Sequence, residues 1–295
     1  MENNFATIRR ARLHCLSSVI VLLALFSTVT IAADNKRQTK KPAPTLAVPF
    51  DIEAQSSLVT STHDIREMIA TLQRGKLKKD QFETTAAYEQ RIASQPQLWA
   101  MKPDKLLAFK FATMKAFPWC IPKYSADTSE LSIDCTLVGR KSFFLADENR
   151  FVDAYLVGIA NAKDTGKYIG TNAFGVKKNI TVRQGTLHGL AINNFDSFIS
   201  GEQRVALPKV QLTVPNLDAD TARKIIDDLG LLFVVQLIPP YLLHDSKSQS
   251  PTIDSPIDYS GEFDYLRVNL EQLWIVDLKS HKVLRKFSHW GIAIN

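Results

Sequence analysis

The side chains that could carry acid–base or metal chemistry gather between residues 239 and 264. His244 is followed directly by Asp245, and an imidazole oriented by a carboxylate is a common general base in hydrolases. Neighbours in sequence seldom form such a pair, however, and no candidate nucleophile accompanies them. Long stretches with little hydrophobic pattern are often binding elements. We therefore expect a surface loop here, with the candidate ligand residues Tyr241, His244, Asp254, Asp258, Tyr259 and Glu262.

The rest of the chain contains no complete catalytic, cofactor or metal motif. Residues 164–166 spell the DTG of aspartic proteases, but no apolar strand precedes them, so a β-turn is the favoured interpretation. Gly166 and Lys167 precede a tyrosine, whereas a phosphate-binding loop requires serine or threonine there. Neither a calcium-loop spacing nor a histidine pair at metal-ligand spacing occurs. The sequence thus assigns no catalytic residue, metal or cofactor. It leaves enzymatic activity open and favours a non-enzyme.

Two cysteines, Cys120 and Cys135, can face each other in a β-hairpin. A turn at residues 127 and 128 places Cys120 opposite Cys135 and Pro122 opposite Ile133, so that one face is apolar and the other mostly polar. Directly opposed residues lie about 5 Å apart, which a disulfide tolerates. We predict a Cys120–Cys135 disulfide. Two buried free thiols are the alternative, while a zinc site would need further ligands that no neighbouring histidine supplies.

The N-terminus has the pattern of an export signal. Three arginines precede the uncharged apolar run 16–33, which ends on small residues. Cleavage after Ala33 would remove Cys15 and leave no transmembrane span, and it predicts a periplasmic protein. The alternative is an inner-membrane anchor formed by residues 16–33, because a run of this length just spans a bilayer. The basic cluster that follows would then have to cross the membrane, which the positive-inside bias opposes.

The net charge of +6 lies mostly ahead of the folded region. Residues 1–33 carry three arginines and one glutamate, and residues 34–49 carry four basic residues and one aspartate, so only +1 remains for residues 50–295. A nucleic-acid-binding domain concentrates positive charge on a folded face. Nucleic acid is therefore not expected as a partner. Residues 34–49, rich in proline, lysine and threonine, predict a flexible basic tether.

Hydrophobic periodicity predicts helices in the first part of the mature chain, residues 50–117. Apolar residues at three- and four-residue steps predict a helix at 62–73. A second helix is predicted to begin within residues 82–95, with Thr84 or Thr85 as its cap, and a third helical segment is expected at 105–115.

The pattern changes to a period of about two beyond residue 118, which predicts a β-rich antiparallel body at 118–295 with a possible boundary near 197–202. One helix is expected within it, capped by Asp218 and ended by Gly230. A turn is expected at residues 184–185, a buried strand at 231–238 that stops at the two following prolines, and a hairpin around 279–282. Further strands are predicted at residues 150–160, 173–184, 186–193 and 203–214. The predicted fold class is α+β.

Two segments resemble uncharacterised exported proteins of Gram-negative bacteria. FETTAAYEQR, residues 82–91, resembles an FETxxxYxxR helix start, and YIGTNAFGVKKNITV, residues 168–182, resembles a YVGxNAFGV strand. The resemblance covers about half of the mature chain in scattered pieces and implies export to the periplasm. It implies no active residues. Within the second segment, Asn172 and Gly175 suit a structural corner or a bulge.

These observations favour an exported envelope protein that binds a partner, whether protein, glycan or lipid, and does no chemistry. The alternative is a hydrolase of envelope polymers with its site near residues 241–264. An enzyme should show a concave pocket containing an acid or histidine whose pKa is strongly shifted. A binding module should show an exposed apolar patch or an open sheet edge.

Overall fold

The computed structural model describes residues 48–77, 80–102, 104–112, 120–136, 138–145, 149–195, 209–288 and 293–294. These residues belong to one compact unit. The predicted signal peptide, the tether up to residue 47 and the possible boundary at 197–202 lie outside the described residues.

Strands dominate the described part of the chain. In chain order they are β1 (Leu107–Ala112), β2 (Cys120–Ser125), β3 (Glu130–Thr136), β4 (Val138–Leu145), β5 (Arg150–Thr171), β6 (Lys177–Ile192), β7 (Lys209–Val214), β8 (Leu229–Gln249), β9 (Ile257–Asp277), β10 (Val283–Phe287) and β11 (Ala293–Ile294). The helices are α1 (Ile65–Arg74), α2 (Thr85–Ala93) and α3 (Ala219–Ile225), with 3₁₀ segments at Pro96–Met101 and Ile226–Asp228.

Two sheets are formed. The large sheet has the strand order β1-β8-β9-β6-β5-β4, and β10 pairs with β9 and β11 at its side. All its described strand pairs are antiparallel except β6 with β9. These two strands run parallel, and β7 and β8 lie between them in the sequence. The small sheet has the order β2-β3-β7 and is antiparallel. Its inward residues, which include Leu131, Ile133 and Leu212, join the core of the large sheet.

The β2–β3 hairpin has the predicted register. Cys120 pairs with Cys135, and Pro122 pairs with Ile133. The two cysteines form a disulfide, and both are buried. Tyr124 near the turn donates its hydroxyl to the carbonyl of Leu217. The predicted disulfide is thus confirmed, because alternation and sulfur pairing both demanded the same register.

The predicted α+β class is wrong, since the described residues are strand-dominated with only three short α-helices. Of the three helices predicted in residues 50–117, two are present as α1 and α2. The segment predicted as the third helix is β1, an edge strand of the large sheet that pairs with β8. Its apolar run fits a buried strand as well as a helix, and periodicity alone cannot separate the two.

A strap of turns and irregular chain, residues 48–63, covers the face of the large sheet opposite the small sheet. Phe50 and Val59 pack there against Trp274, whose ring lies 5.5 Å from that of Phe50 in an edge-to-face arrangement. His63 fixes the strap to β1, because its Nδ1 accepts from the amide of Ala108 at 3.0 Å. An amide only donates, so Nδ1 carries no proton. Burial accordingly lowers the pKa of His63.

Several predicted turns are strand interior instead. Gly185 lies within β6, where both neighbouring strands pair with it. Residues 164–166 form a bulge in β5, not a turn. Pro239 and Pro240 interrupt β8 without ending it, because they fall in a register shift where no ladder amide is needed. Gly230 lies in β8 and not at a helix end, since α3 stops at Ile225.

Candidate interaction surface

The stretch predicted as a ligand loop is mostly β-structure. Tyr241 and His244 lie in β8, while Asp258, Tyr259 and Glu262 lie in β9. Only Asp254 falls in the connecting turn, residues 250–256. The expectation of a structureless loop is therefore wrong. The stretch contains few apolar residues because both faces of these strands are exposed to water. Such strands lack the alternation of apolar and polar residues by which a strand is predicted from sequence.

His244 does not pair with Asp245, its neighbour in sequence. Its Nδ1 lies 2.9 Å from Asp264, and its Nε2 lies 2.9 Å from Glu262. Asp245 points to the opposite face of β8, where it forms an ion pair with Lys141. Adjacent strand residues point to opposite faces, so the dyad suggested by the sequence cannot form in a strand.

The His244 side chain is mostly exposed and lies between the two carboxylates. Both carboxylates raise the pKa of His244, and the hydrogen bond to Asp264 has the largest effect. A pKa that is higher in the folded protein means that the ion pairs stabilise fully below about pH 6.5, the unfolded value. This stabilisation is lost as pH rises through the raised pKa. We expect a contribution below about 1 kcal/mol because the group is exposed.

An NMR titration of the His244 ring protons should give a midpoint above that of an unstructured histidine. The H244Q variant should lose the corresponding part of the pH dependence of unfolding. A midpoint at or below the ordinary histidine value would contradict the geometry.

The distal parts of four strands form a sheet that extends beyond the body. We call it the arm: residues 158–187 of β5, β6 and their turn, and residues 242–263 of β8, β9 and theirs. Residues 160–169 are all exposed, so solvent reaches both faces of β5 there. Twelve residues of β5, 160–171, correspond to roughly 40 Å of strand.

Both edges of the arm are open among the described residues. β4 pairs with β5 only as far as Leu156, and β1 pairs with β8 only as far as Val235. The bulge at residues 164–166 interrupts the regular edge of β5, and two prolines interrupt β8 just before the arm begins. Such interruptions are common in the edge strands of soluble proteins, where they hinder pairing with another chain.

Tyr259 fastens the middle of the arm. Its ring lies across Gly185 and Gly261, which face each other in β6 and β9. A Cβ on Gly185 would come within 2.1 Å of the Tyr259 hydroxyl oxygen, so only glycine leaves space for the ring. An aromatic that covers glycines in this way restores the packing that a bare ladder lacks.

The end of the arm is apolar. We call it the tip: residues 167–178 together with Ile253 of the neighbouring turn. Phe174 is 91% exposed and Ile169 is 68% exposed. Tyr168, Val176 and Ile253 are exposed to between 42% and 46%. Large apolar side chains grouped at one exposed place mark an interaction surface more often than scattered ones do.

Four backbone amides in the turn of the tip donate hydrogen bonds within the turn. Asn172 Oδ1 accepts from the amides of Phe174 and Val176, and the Asn172 carbonyl accepts from Gly175. The amide of Asn172 in turn donates to the carbonyl of Val176. Gly175 has a φ of +80°, a conformation that favours glycine. Asn172 and Gly175 are thus the corner residues of a rigid turn, and Phe174 stands between them.

Two concavities of the described residues lie near the elements discussed above. One, of about 560 Å³, lies beneath the tip and is lined by Tyr168, Val176, Ile180 and Ile253 among others. The other, of about 740 Å³, lies between the strap and β10 and includes Glu53, Gln272, Arg285 and Lys286. None of the six predicted ligand residues lines either one. Asp258 reaches the tip only through the hydroxyl of Tyr168, which donates to it at 3.1 Å.

The FETxxxYxxR segment forms a compact structural cluster. Glu83 accepts two hydrogen bonds from Arg91, at 2.8 and 2.9 Å, and Thr84 caps α2. Tyr88 donates to the carbonyl of Leu77, and Arg91 donates to that of Lys76. The motif residues thereby hold α2 to the end of the α1 segment. These contacts give the FETxxxYxxR residues a structural role that requires no catalytic activity.

No family model, curated protein or solved structure matches this chain. Among the described residues, no group of three acidic, histidine or cysteine side chains is placed to hold a metal. Within that same part, no helix is long and apolar enough to cross a membrane.

The sequence analysis missed the tip as a site. The signal was present in YIGTNAFGVKK, where apolar residues, an Asn-to-Gly corner and two adjacent lysines follow one another. We interpreted this segment as a strand because of its alternation. The exposure of Phe174 depends on how far β5 and β6 extend beyond the body. That length cannot be predicted from the sequence of this segment alone.

Proposed function

We propose that this protein is an exported envelope protein that acts as a non-catalytic binding module through the tip of its arm. The observation that carries the proposal is the cluster of exposed apolar side chains around Phe174, set on a turn with an internally bonded backbone. The predicted export leader and the disulfide both suit the periplasm, the expected location.

The arm also has the geometry that presentation of a binding surface requires. Its four strands are paired to one another over most of their length, so the tip is held at a distance from the core by a stiff element. Binding to a rigid, preformed surface avoids the entropy cost of ordering a loop. No specific observation favours the alternative hydrolase near residues 241–264.

The test is site-specific photocrosslinking in living cells, with p-benzoylphenylalanine at position 174 or at position 151. Phe151 is the matched control because it is also a largely exposed phenylalanine, and it lies at the start of β5, whereas Phe174 lies in the turn beyond the end of that strand. We expect an adduct, detected by intact mass, from position 174 and none from position 151. Equal labelling at both positions, or none at either, would refute a binding role for the tip.

A further inference from the structure

We propose that the partner of the tip is the head-group region of an anionic lipid leaflet, into which Phe174 and its neighbours insert. This inference rests on the proposed binding function and names its partner. Three independent features of the tip carry it: the distribution of its apolar side chains, its charge and its backbone hydrogen bonding.

The apolar side chains of the tip surround the hairpin and do not form one flat patch. Tyr168 and Ile169 are consecutive residues of β5 and therefore point to opposite faces. Phe174 projects from the turn itself, beyond both strands. A protein partner would have to enclose such an end from several sides, whereas a fluid lipid layer surrounds it without a preformed cavity.

The charge of the hairpin is complementary to anionic lipid. Lys177 and Lys178 lie immediately behind the turn, and Lys167 lies further along β5, opposite Thr181. Residues 165–182 contain no acidic residue. Basic side chains beside an apolar wedge are the usual arrangement of segments that lie at a membrane interface. Asp254 and Asp258 belong to the neighbouring hairpin, and Asp258 is engaged by Tyr168. Asp164 lies near Lys167 on β5, and its carboxylate is paired with Arg183.

The backbone of the turn is suited to an environment that is poor in water. Unpaired amides are costly in lipid, and the amides of Asn172, Phe174, Gly175 and Val176 all have partners within the turn. The adjoining edge of β5 is open, which would make deeper insertion unfavourable. Insertion should therefore stop at the head groups, with the turn in the lipid and the lysines at the phosphates.

The first experiment is co-flotation of the full chain with vesicles of phosphatidylglycerol and phosphatidylcholine, compared with vesicles of phosphatidylcholine alone. Each lysine near an anionic surface is worth about a fivefold change in partitioning, so K167Q/K177Q/K178Q should reduce binding to anionic vesicles roughly 100-fold. F174S should reduce it about tenfold or more. The charge-matched control K102Q/K224Q/K279Q and the control F151S alter exposed body residues and should bind like the wild type.

The second experiment reports insertion directly. A nitrobenzoxadiazole label is attached through F174C or, as the control, F151C, each combined with C15S so that the N-terminal segment is not labelled. Anionic vesicles should shift the emission of the label at position 174 to the blue and leave the label at position 151 unchanged. Because every variant has the same N-terminus, any lipid affinity of residues 1–47 is common to all of them.

Equal binding to neutral and anionic vesicles, or an unchanged label at position 174, would overturn the lipid assignment. If position 174 then crosslinks in cells to a protein, a glycan or a second copy of the chain, the binding module stands with a different partner. If it crosslinks to nothing, the binding function falls as well.

Discussion

Removal of the disulfide by C120A/C135A should lower the free energy of unfolding by about 3 kcal/mol, the chain-entropy value for a closed loop of this size. The bond closes 15 residues of sequence and joins β2, the edge strand of the small sheet, to the central strand β3. Both cysteines are buried beside Leu131 and Ile133, so the loss also weakens the packing of the small sheet on the large one. Urea unfolding followed by circular dichroism measures the change.

Reduction of the wild-type protein provides the control, because it removes the bond and keeps both sulfur atoms. The reduced protein should lose nearly as much stability as the double variant. A thiol count in denaturant should find no reactive Cys120 or Cys135 in the native protein before reduction and both afterwards. An unfolding midpoint that does not move on reduction would contradict a stabilising bond.

Gly189→Ala is expected to cost about 3 kcal/mol, near the upper end of the range for overpacked sites. Gly189 on β6 faces Gly158 on β5 where the arm joins the body, and Tyr265 of β9 packs beside the pair. An added Cβ would lie 2.4 Å from the carbonyl oxygen of Val157. Because that oxygen is backbone, a side-chain rotation cannot relieve the clash, and β5 itself would have to move.

Gly166→Ala is the matched control for that substitution. Gly166 lies in the same pair of strands, in the arm, but an added Cβ there would meet no atom within 4 Å. It should change stability by less than about 0.5 kcal/mol. Urea unfolding of the two variants side by side decides the matter: equal midpoints would show that the Gly158–Gly189 contact tolerates a methyl group.

Some local patterns that repeat over a few residues were interpreted correctly. The register of the β2–β3 hairpin follows from alternation and sulfur pairing together, because a shift of one strand by one residue would have turned its cysteine and its apolar residues away from the core. The cap of α3 is likewise readable, since Asp218 accepts from the amide of Thr221. The buried run 231–237 reads as a strand by its composition, and it is the buried half of β8.

Longer-range features could not be obtained in the same way. Gly185 is predicted from sequence to lie in a turn, but it lies inside β6, which is paired on both sides. Glycine is required there because the ring of Tyr259, a residue of β9 that is distant in sequence, occupies the space of a side chain. Likewise, the sequence pairs His244 with Asp245, while the strand geometry pairs it with Asp264 and Glu262. In each case the deciding partner lies on another strand.

The sequence by itself determined the disulfide, several of the strands, and the absence of a recognisable catalytic motif, because these depend on residue type and short spacing. Only the tertiary structure decided that four strands extend together as an arm, that the polar stretch around residue 250 belongs to it, and that Phe174 stands exposed at its end. Strand pairing between residues far apart in the chain sets those features. The energy of strand pairing depends on which two strands come together, and the sequence of one strand alone does not specify its partner.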